Sequence, residues 1–282
     1  MADISDHLEA AGDQWRSYDE FAAGIDTYRL PSADLTGRWV ELDLGGDRLR
    51  LEFPDAGLAR WSSPAFGTGR ASDGPASVDP YDAVQVRPGV VFVNLELRSR
   101  EREAITVIWS TRTGRALVTH SRIRSSEEAA ADGEPQVTQT FHPGVLTATE
   151  AGPAAAPSGP APAPSRDLIG KRNVYRYSPE HLYEHTYMSS ERYMWQCLQG
   201  VQRGHGDVDR STVWKFDDGL YLFCFREFKI AVASVWLHDL GYDLRTTGVF
   251  LGLTASDAAA HSRAGGHIYP LGAVTYPDVQ PV

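Results

Sequence analysis

The amino-acid sequence predicts a mainly β protein: two tandem antiparallel β-barrels that arose by duplication, preceded by a helical segment. Three observations carry this expectation. Runs of β-branched and aromatic residues recur along the chain between Asn, Asp and Gly turns, the pattern of hairpins. A Pro- and Ala-rich stretch divides the 282 residues nearly in half. Landmarks of the first half return in the second at almost constant offset, which is the mark of a duplication.

Taken in order, Ile4, Leu8, Trp15, Tyr18 and Phe21 fall near helical spacing, so residues 1–30 are expected to form a helical segment bracing the first barrel. Residues 31–145 supply that barrel. They open at Leu35–Gly37, carry an aromatic strand near Trp61, and turn at Arg87-Pro88-Gly89 before VVFVNLEL and AITVIW. The Ser/Glu/Ala-rich stretch 125–134 reads as an exposed loop. Residues 146–166 hold Pro153, Pro157, Pro160, Pro162 and Pro164 among Ala, Gly and Ser, the composition of an extended linker. Residues 167–282 repeat the plan: Leu168–Gly170, a strand around Trp195, the Asp217-Asp218-Gly219 turn, then LYLFCFREF and AVASVW. Gly37 and Gly170 are 133 residues apart and Gly89 and Gly219 are 130 apart. Each half offers about six to eight strands, enough for a small barrel.

Composition narrows the function. A net charge of −10 argues against nucleic acid or an anionic membrane as partner, because both need a cationic footprint. No stretch approaches the ~18 apolar residues of a membrane span, and MADISDHLEA lacks the basic and apolar regions of a signal peptide, so a cytoplasmic protein is expected. Cys197 and Cys224 are the only cysteines. They form neither a disulfide framework nor a zinc pattern and read as small core residues.

Chemistry concentrates after the linker, where six of nine histidines and nine of twelve tyrosines lie. In YSPEHLYEHTY, His181 and His185 are four residues apart. On a helix that spacing holds one zinc ion; on a strand it separates the two by roughly 13 Å. Tyr175, Tyr177, His181, Tyr183, His185 and Tyr187 share odd parity, and Pro179 interrupts any helix, so a strand with one aromatic face is expected and no metal site. Tyr193, Trp195, Cys197 and Gln199, then Tyr221, Phe223, Phe225 and Glu227, alternate in the same way. Such a lumen suits a flat conjugated guest held by stacking and a few hydrogen bonds. The first half is an internal control: at the glycine offsets Tyr175, Tyr177 and Glu227 correspond to Leu42, Leu44 and Leu97, so the polar groups are not needed by the scaffold. His205, within Arg203-Gly-His-Gly-Asp207, sits between two glycines that can present it to a pocket mouth.

The run GKRNVYRYSPEHLYEH…YMWQCLQGVQRGHGDVD…KFDDGLYLFCFREF resembles the MoaF family, two-domain bacterial proteins, which implies lipocalin-like (calycin) barrels. The family name links it to molybdenum cofactor synthesis, yet the sequence has neither a Cys cluster nor a phosphate-cradling glycine loop. More distantly, the second half looks like the phenolic acid decarboxylases, cofactor-free lipocalin-like barrels. Ile169-Gly170, the Tyr175/Tyr177 pair, Tyr183-Glu184 and Glu227 eight residues after Gly219 match that pattern. It departs at the family's arginine, whose position falls on His205 with Arg203 two residues away; Arg226 is also new. The resemblance implies that the tyrosines and the arginine hold a carboxylate while the glutamate handles the proton. With histidine in place of arginine, isomerisation, cyclisation or addition on a related conjugated substrate is expected.

These readings converge on a cofactor-independent lyase or isomerase of secondary metabolism. Glu227, Tyr175, Tyr177 and His205 are the expected catalytic set. Arg203, Arg226, His181, Tyr183, His185, Tyr193, Trp195, Tyr221, Phe225 and His238 are the expected substrate contacts. The alternative is a non-catalytic lipocalin-like carrier. A third possibility, a metal-dependent cupin-like barrel using His181, His185, His205 or His238, is disfavoured because such sites draw histidines from strands that meet across a barrel. The expected partner is a small molecule, with a homodimer possible, and no cofactor or metal is expected.

Overall fold

A computed structural model describes residues 16–66 and 76–282; Ile4, Leu8 and Trp15 lie outside the described residues. Two closed eight-stranded antiparallel barrels follow one another, as expected, with a short helix ahead of them. The first barrel is an up-and-down meander of β1 (Trp39–Asp43), β2 (Arg48–Asp55), β3 (Leu58–Ser62), β4 (Ser77–Arg87), β5 (Val90–Glu96), β6 (Glu103–Ser110), β7 (Arg115–Ile123) and β8 (Val137–Thr149). Pairing of β8 with β1 closes it. After the two-residue pieces β9 (Gly152–Pro153) and β10 (Ala163–Pro164) comes the second meander. It comprises β11 (Lys171–Ser178), β12 (His181–Tyr187), β13 (Arg192–Gln199), β14 (Gly206–Asp217), β15 (Leu220–Arg226), β16 (Val232–Asp239), β17 (Arg245–Leu253) and β18 (Ala259–Ala273), closed by β18 on β11.

The repeat is structural as well as sequential. Gly37, Gly170, Gly89 and Gly219 all have positive φ, the left-handed conformation that only glycine adopts cheaply. They hold equivalent turns in the two barrels.

The lumens are filled differently. Leu42, Leu49, Leu51, Phe53, Val93 and Leu97 pack the first into a hydrocarbon core. The second is packed by tyrosine, tryptophan and phenylalanine. Between the barrels, outward residues of β4–β7, including Val84, Val90, Phe92 and Leu117, meet Leu220, Leu222, Cys224 and Leu237 of β15 and β16. Burial on both faces explains why LYLFCF reads as an unbroken apolar run. Arg87 of β4 crosses this seam, its Nε and Nη2 donating to Asp239 at 2.7 and 2.6 Å.

Three local expectations are corrected. Helix α1 (Tyr18–Ala22) braces the second barrel, not the first: Tyr18, Phe21 and Ile25 join the aromatic core of that barrel. Tyr18 donates to Ser262 Oγ at 2.7 Å, and Gly252 leaves space for its ring, where an added Cβ would clash. The chain then donates from Tyr28 N to Tyr177 O at 3.0 Å before crossing to the first barrel. Residues 126–132 form helix α2 (Ser126–Asp132) instead of a loop, because Ser125 and Glu128 make a reciprocal capping box. Finally, β8 runs on to Thr149, into the segment read as linker, since Leu146 is buried in the first core.

Candidate functional site

Period-two alternation turns one face of each strand into the second lumen. From β11 and β12 come Tyr175, Tyr177, Tyr183, His185 and Tyr187; from β13, Tyr193, Trp195 and Cys197; all are buried. The histidine pair of the opening motif therefore stands on a strand. Among the described residues no group of three or more His, Cys, Asp or Glu side chains is placed to hold a metal ion.

A cavity of about 30 Å³ opens inside this barrel beneath α1. Its polar lining is Tyr177, Tyr183, His185, Tyr193, Gln202 and Glu227, and its walls include Phe21, Ile25, Trp195, Phe225, Trp236 and Phe250. Glu227 stands just past the end of β15, 7% exposed, and its carboxyl makes no hydrogen bond among the described residues. Burial, reinforced by the charges of Asp209 and Asp207, pushes its pKa well above the usual carboxylate range. Its surroundings therefore favour the protonated form of this acid at the cavity wall. Burial alone pushes His185 down to about 3, so this imidazole is neutral. Burial also raises the phenols of Tyr177, Tyr183 and Tyr193. Tyr183 donates to Gln202 Oε1 at 2.9 Å, whereas Tyr177 and Tyr193 make no side-chain hydrogen bond among the described residues.

A second layer lies outside the cavity lining. Tyr175 and Tyr187 share a 2.6 Å hydrogen bond, and Asn173 Nδ2 donates to Tyr175 Oη at 3.2 Å. Tyr175 stacks on Tyr177 with ring centroids 6.3 Å apart. It thus supports Tyr177 and does not face the cavity as expected. His238 Nδ1 is within 2.8 Å of Thr246 Oγ1, and its ring packs on Tyr175 and Phe223; it too is removed from the lining.

Five further expected site residues lie elsewhere. Tyr221 shares parity with Glu227 but lies six residues away along the same strand direction, roughly 20 Å, and its hydroxyl donates to Asp167 at 2.9 Å. His181 sits beside a bulge in the β11–β12 pairing, which brings its Nδ1 to Ser178 Oγ at 2.8 Å and takes it off the cavity wall. Arg226 points outward to the barrel seam, donating to Gln139 Oε1 at 3.1 Å and Thr212 Oγ1 at 3.0 Å, because it precedes the inward Glu227 by one residue. In the RGHGD turn, Arg203 is exposed and His205 half-buried, and neither is in the lining. The tight turn, with Gly204 N donating to Cys197 O and His205 N to Gln202 O, sends Gln202 inward instead.

Gln202, Phe21, Ile25, Trp236 and Phe250 are lining residues that sequence reasoning missed. A repeated device separates the acids. Trp195 Nε1 donates to Asp209 at 2.9 Å and Phe228 N to the same carboxyl at 3.1 Å. In the first barrel Trp61 Nε1 donates to Asp79 at 2.8 Å and Arg98 N likewise at 2.9 Å. This Trp–Asp bracket belongs to the scaffold. Glu227 does not: its counterpart Leu97 is buried in hydrocarbon.

Fold and site together define a tandem β-barrel protein in which one lumen is filled by an apolar core and the other is an aromatic pocket with a buried acid. Residues 13–125 match the MoaF N-terminal domain and residues 162–274 the MoaF C-terminal domain. Protein MoaF of Klebsiella aerogenes is 33% identical over 198 residues, 69% of this chain and 72% of that protein. The chain belongs to the MoaF family. Among solved structures, a candidate beta-lactamase from Burkholderia vietnamiensis aligns with TM-score 0.32 and 14% identity, over 37% of this chain and 95% of its own; a likeness so low carries no argument.

Proposed function

We propose that the second barrel binds a small conjugated or aromatic molecule and performs cofactor-independent acid–base chemistry on it, of the lyase or isomerase type. The observation that carries this reading is Glu227, a buried acid without a hydrogen bond among the described residues, on an aromatic cavity whose duplicate position is Leu97. A carboxyl kept protonated near neutral pH is suited to donate a proton and recover it. Tyr177 and Tyr193, whose hydroxyls lack side-chain partners among the described residues, are suited to stabilise an enolate or phenolate oxygen. Tyr175 and Tyr187 then hold Tyr177 in place. With about 30 Å³ free, the resting lumen has room for little more than water. Guest binding therefore requires Phe21 and Ile25 of the N-terminal segment to give way.

The test is Glu227→Gln, which keeps shape and neutrality but removes the transferable proton. A panel of conjugated phenolic acids, esters, amides and aldehydes is followed by absorbance, with binding followed separately by tryptophan fluorescence. We expect turnover to fall about 10²–10⁴-fold with binding retained. Turnover unchanged by the substitution would remove the glutamate from the chemistry. Tight binding without conversion by the natural sequence would make the barrel a carrier.

A further inference from the structure

The charge of the guest can be argued from the same lumen, and this step rests on reading the cavity as a guest site. No lysine or arginine occurs among the described lining residues. The cations nearest in sequence lie elsewhere: Arg226 points to the seam, and Lys229 and Arg203 are exposed. Arg245 is spent on the main-chain oxygens of Tyr28 and Gly266. The fifteen residues before Arg16 contain neither lysine nor arginine. A carboxylate guest would thus lie buried beside Glu227 without a counter-ion, and an unpaired buried charge is strongly disfavoured.

What the lumen offers instead is hydrogen-bond donors. Tyr177 and Tyr193 bring two hydroxyls without side-chain partners among the described residues, and the Glu227 carboxyl, likewise unbonded, adds a third group to the same lining. Unsatisfied donors on an aromatic wall are complementary to acceptor oxygen on a flat molecule. We infer that the guest is an uncharged conjugated carbonyl compound (an aldehyde, ketone, quinone, ester or amide) whose carbonyl oxygen sits against Tyr177 and Glu227. The class departs from the carboxylate that the decarboxylase resemblance implies, because the arginine position of that pattern falls on His205, outside the lining.

The experiment compares para-hydroxycinnamamide with para-hydroxycinnamate, which share shape and differ in charge. Binding to the full chain is measured by calorimetry near neutral pH. We expect the amide to bind at least about tenfold tighter, Tyr177→Phe to weaken it about tenfold, and Glu227→Gln to keep the preference. Equal or tighter binding of the acid would overturn the inference while leaving a guest site. A preference that disappears in Glu227→Gln would also overturn it, since discrimination would then come from an ionised glutamate. Amide binding indifferent to Tyr177→Phe would place the carbonyl elsewhere and end it. Binding of neither compound would remove the guest site and the inference together.

Discussion

His185 and Glu227 line one cavity and burial favours the neutral form of each, but they load the pH dependence of stability in opposite directions. Burial pushes His185 from 6.5 to about 3. Between those values the unfolded chain takes up a proton that the folded chain refuses. The stability owed to neutral His185 is complete above about 6.5 and drains as pH falls towards 3. Glu227 is raised from 4.5, so the folded chain keeps a proton that the unfolded chain releases. Its contribution is complete below about 4.5 and is lost as pH rises through the folded value. Urea unfolding from about pH 4 to 8 should therefore show His185→Phe flattening the acid limb, by up to about 1.4 kcal/mol per pH unit for one proton. Glu227→Gln should flatten the opposite limb. An acid limb unchanged in His185→Phe would assign it to other groups, with His238, also held well below its usual value by burial, the first to examine. At this scale the sequence was a good guide to parity and a poor guide to depth. The alternation placed Tyr177, Tyr183, His185, Tyr193, Trp195, Phe225 and Glu227 inward. It could not tell that Tyr221 and His238 lie farther down the same wall, because depth depends on how the strands pair around the barrel.

At the scale of elements, the features missed are those that join distant parts of the chain. The helical spacing of Tyr18 and Phe21 was legible, and so was their need for an apolar partner. Which barrel would supply it was not, since the partner core begins about 150 residues later and no local pattern records that distance. Gly252, flattened against the Tyr18 ring, reads from sequence only as a weak spot in a strand. The RGHGD turn was legible as a tight turn, but the direction of each side chain follows from its backbone bonds, which favour Gln202. The consequence of the plug is testable. Phe21 meets Phe250 edge-on at 5.5 Å and fills the space above the cavity. Phe21→Ala should cost about 3 kcal/mol or more in stability yet speed association of a lumen guest in stopped-flow fluorescence. A slower or unchanged association rate would mean that guests do not pass beneath α1.

Across the whole molecule, the two barrels are bound to each other more tightly than the Pro-rich connection suggests. Valine, leucine and phenylalanine from both sheets form one apolar seam, and Asp239, fully buried, is paired bidentately with Arg87 across it. The duplication was visible in glycine spacing; the seam was not, because a strand buried on both faces loses the alternation that would reveal which face meets what. No helix among the described residues is long and apolar enough to cross a membrane. The N-terminal segment covers the cavity of the second lumen, so the first half of the chain completes the second barrel. A fragment of residues 162–282 would lose Tyr18, Phe21 and Ile25 from its core. It would also expose Leu220, Leu222, Val235 and Leu237, an apolar face of the kind that drives association. We therefore expect that fragment to aggregate or to unfold, and the full chain to melt in one cooperative transition. Arg87→Ala grades the same claim, because it leaves Asp239 buried and unpaired. It should destabilise the whole chain by about 3–5 kcal/mol, with both barrels melting together in calorimetry. Two separated transitions, or a monomeric folded fragment that binds a guest as tightly as the full chain, would show that the second barrel is self-sufficient and that the first is not its support.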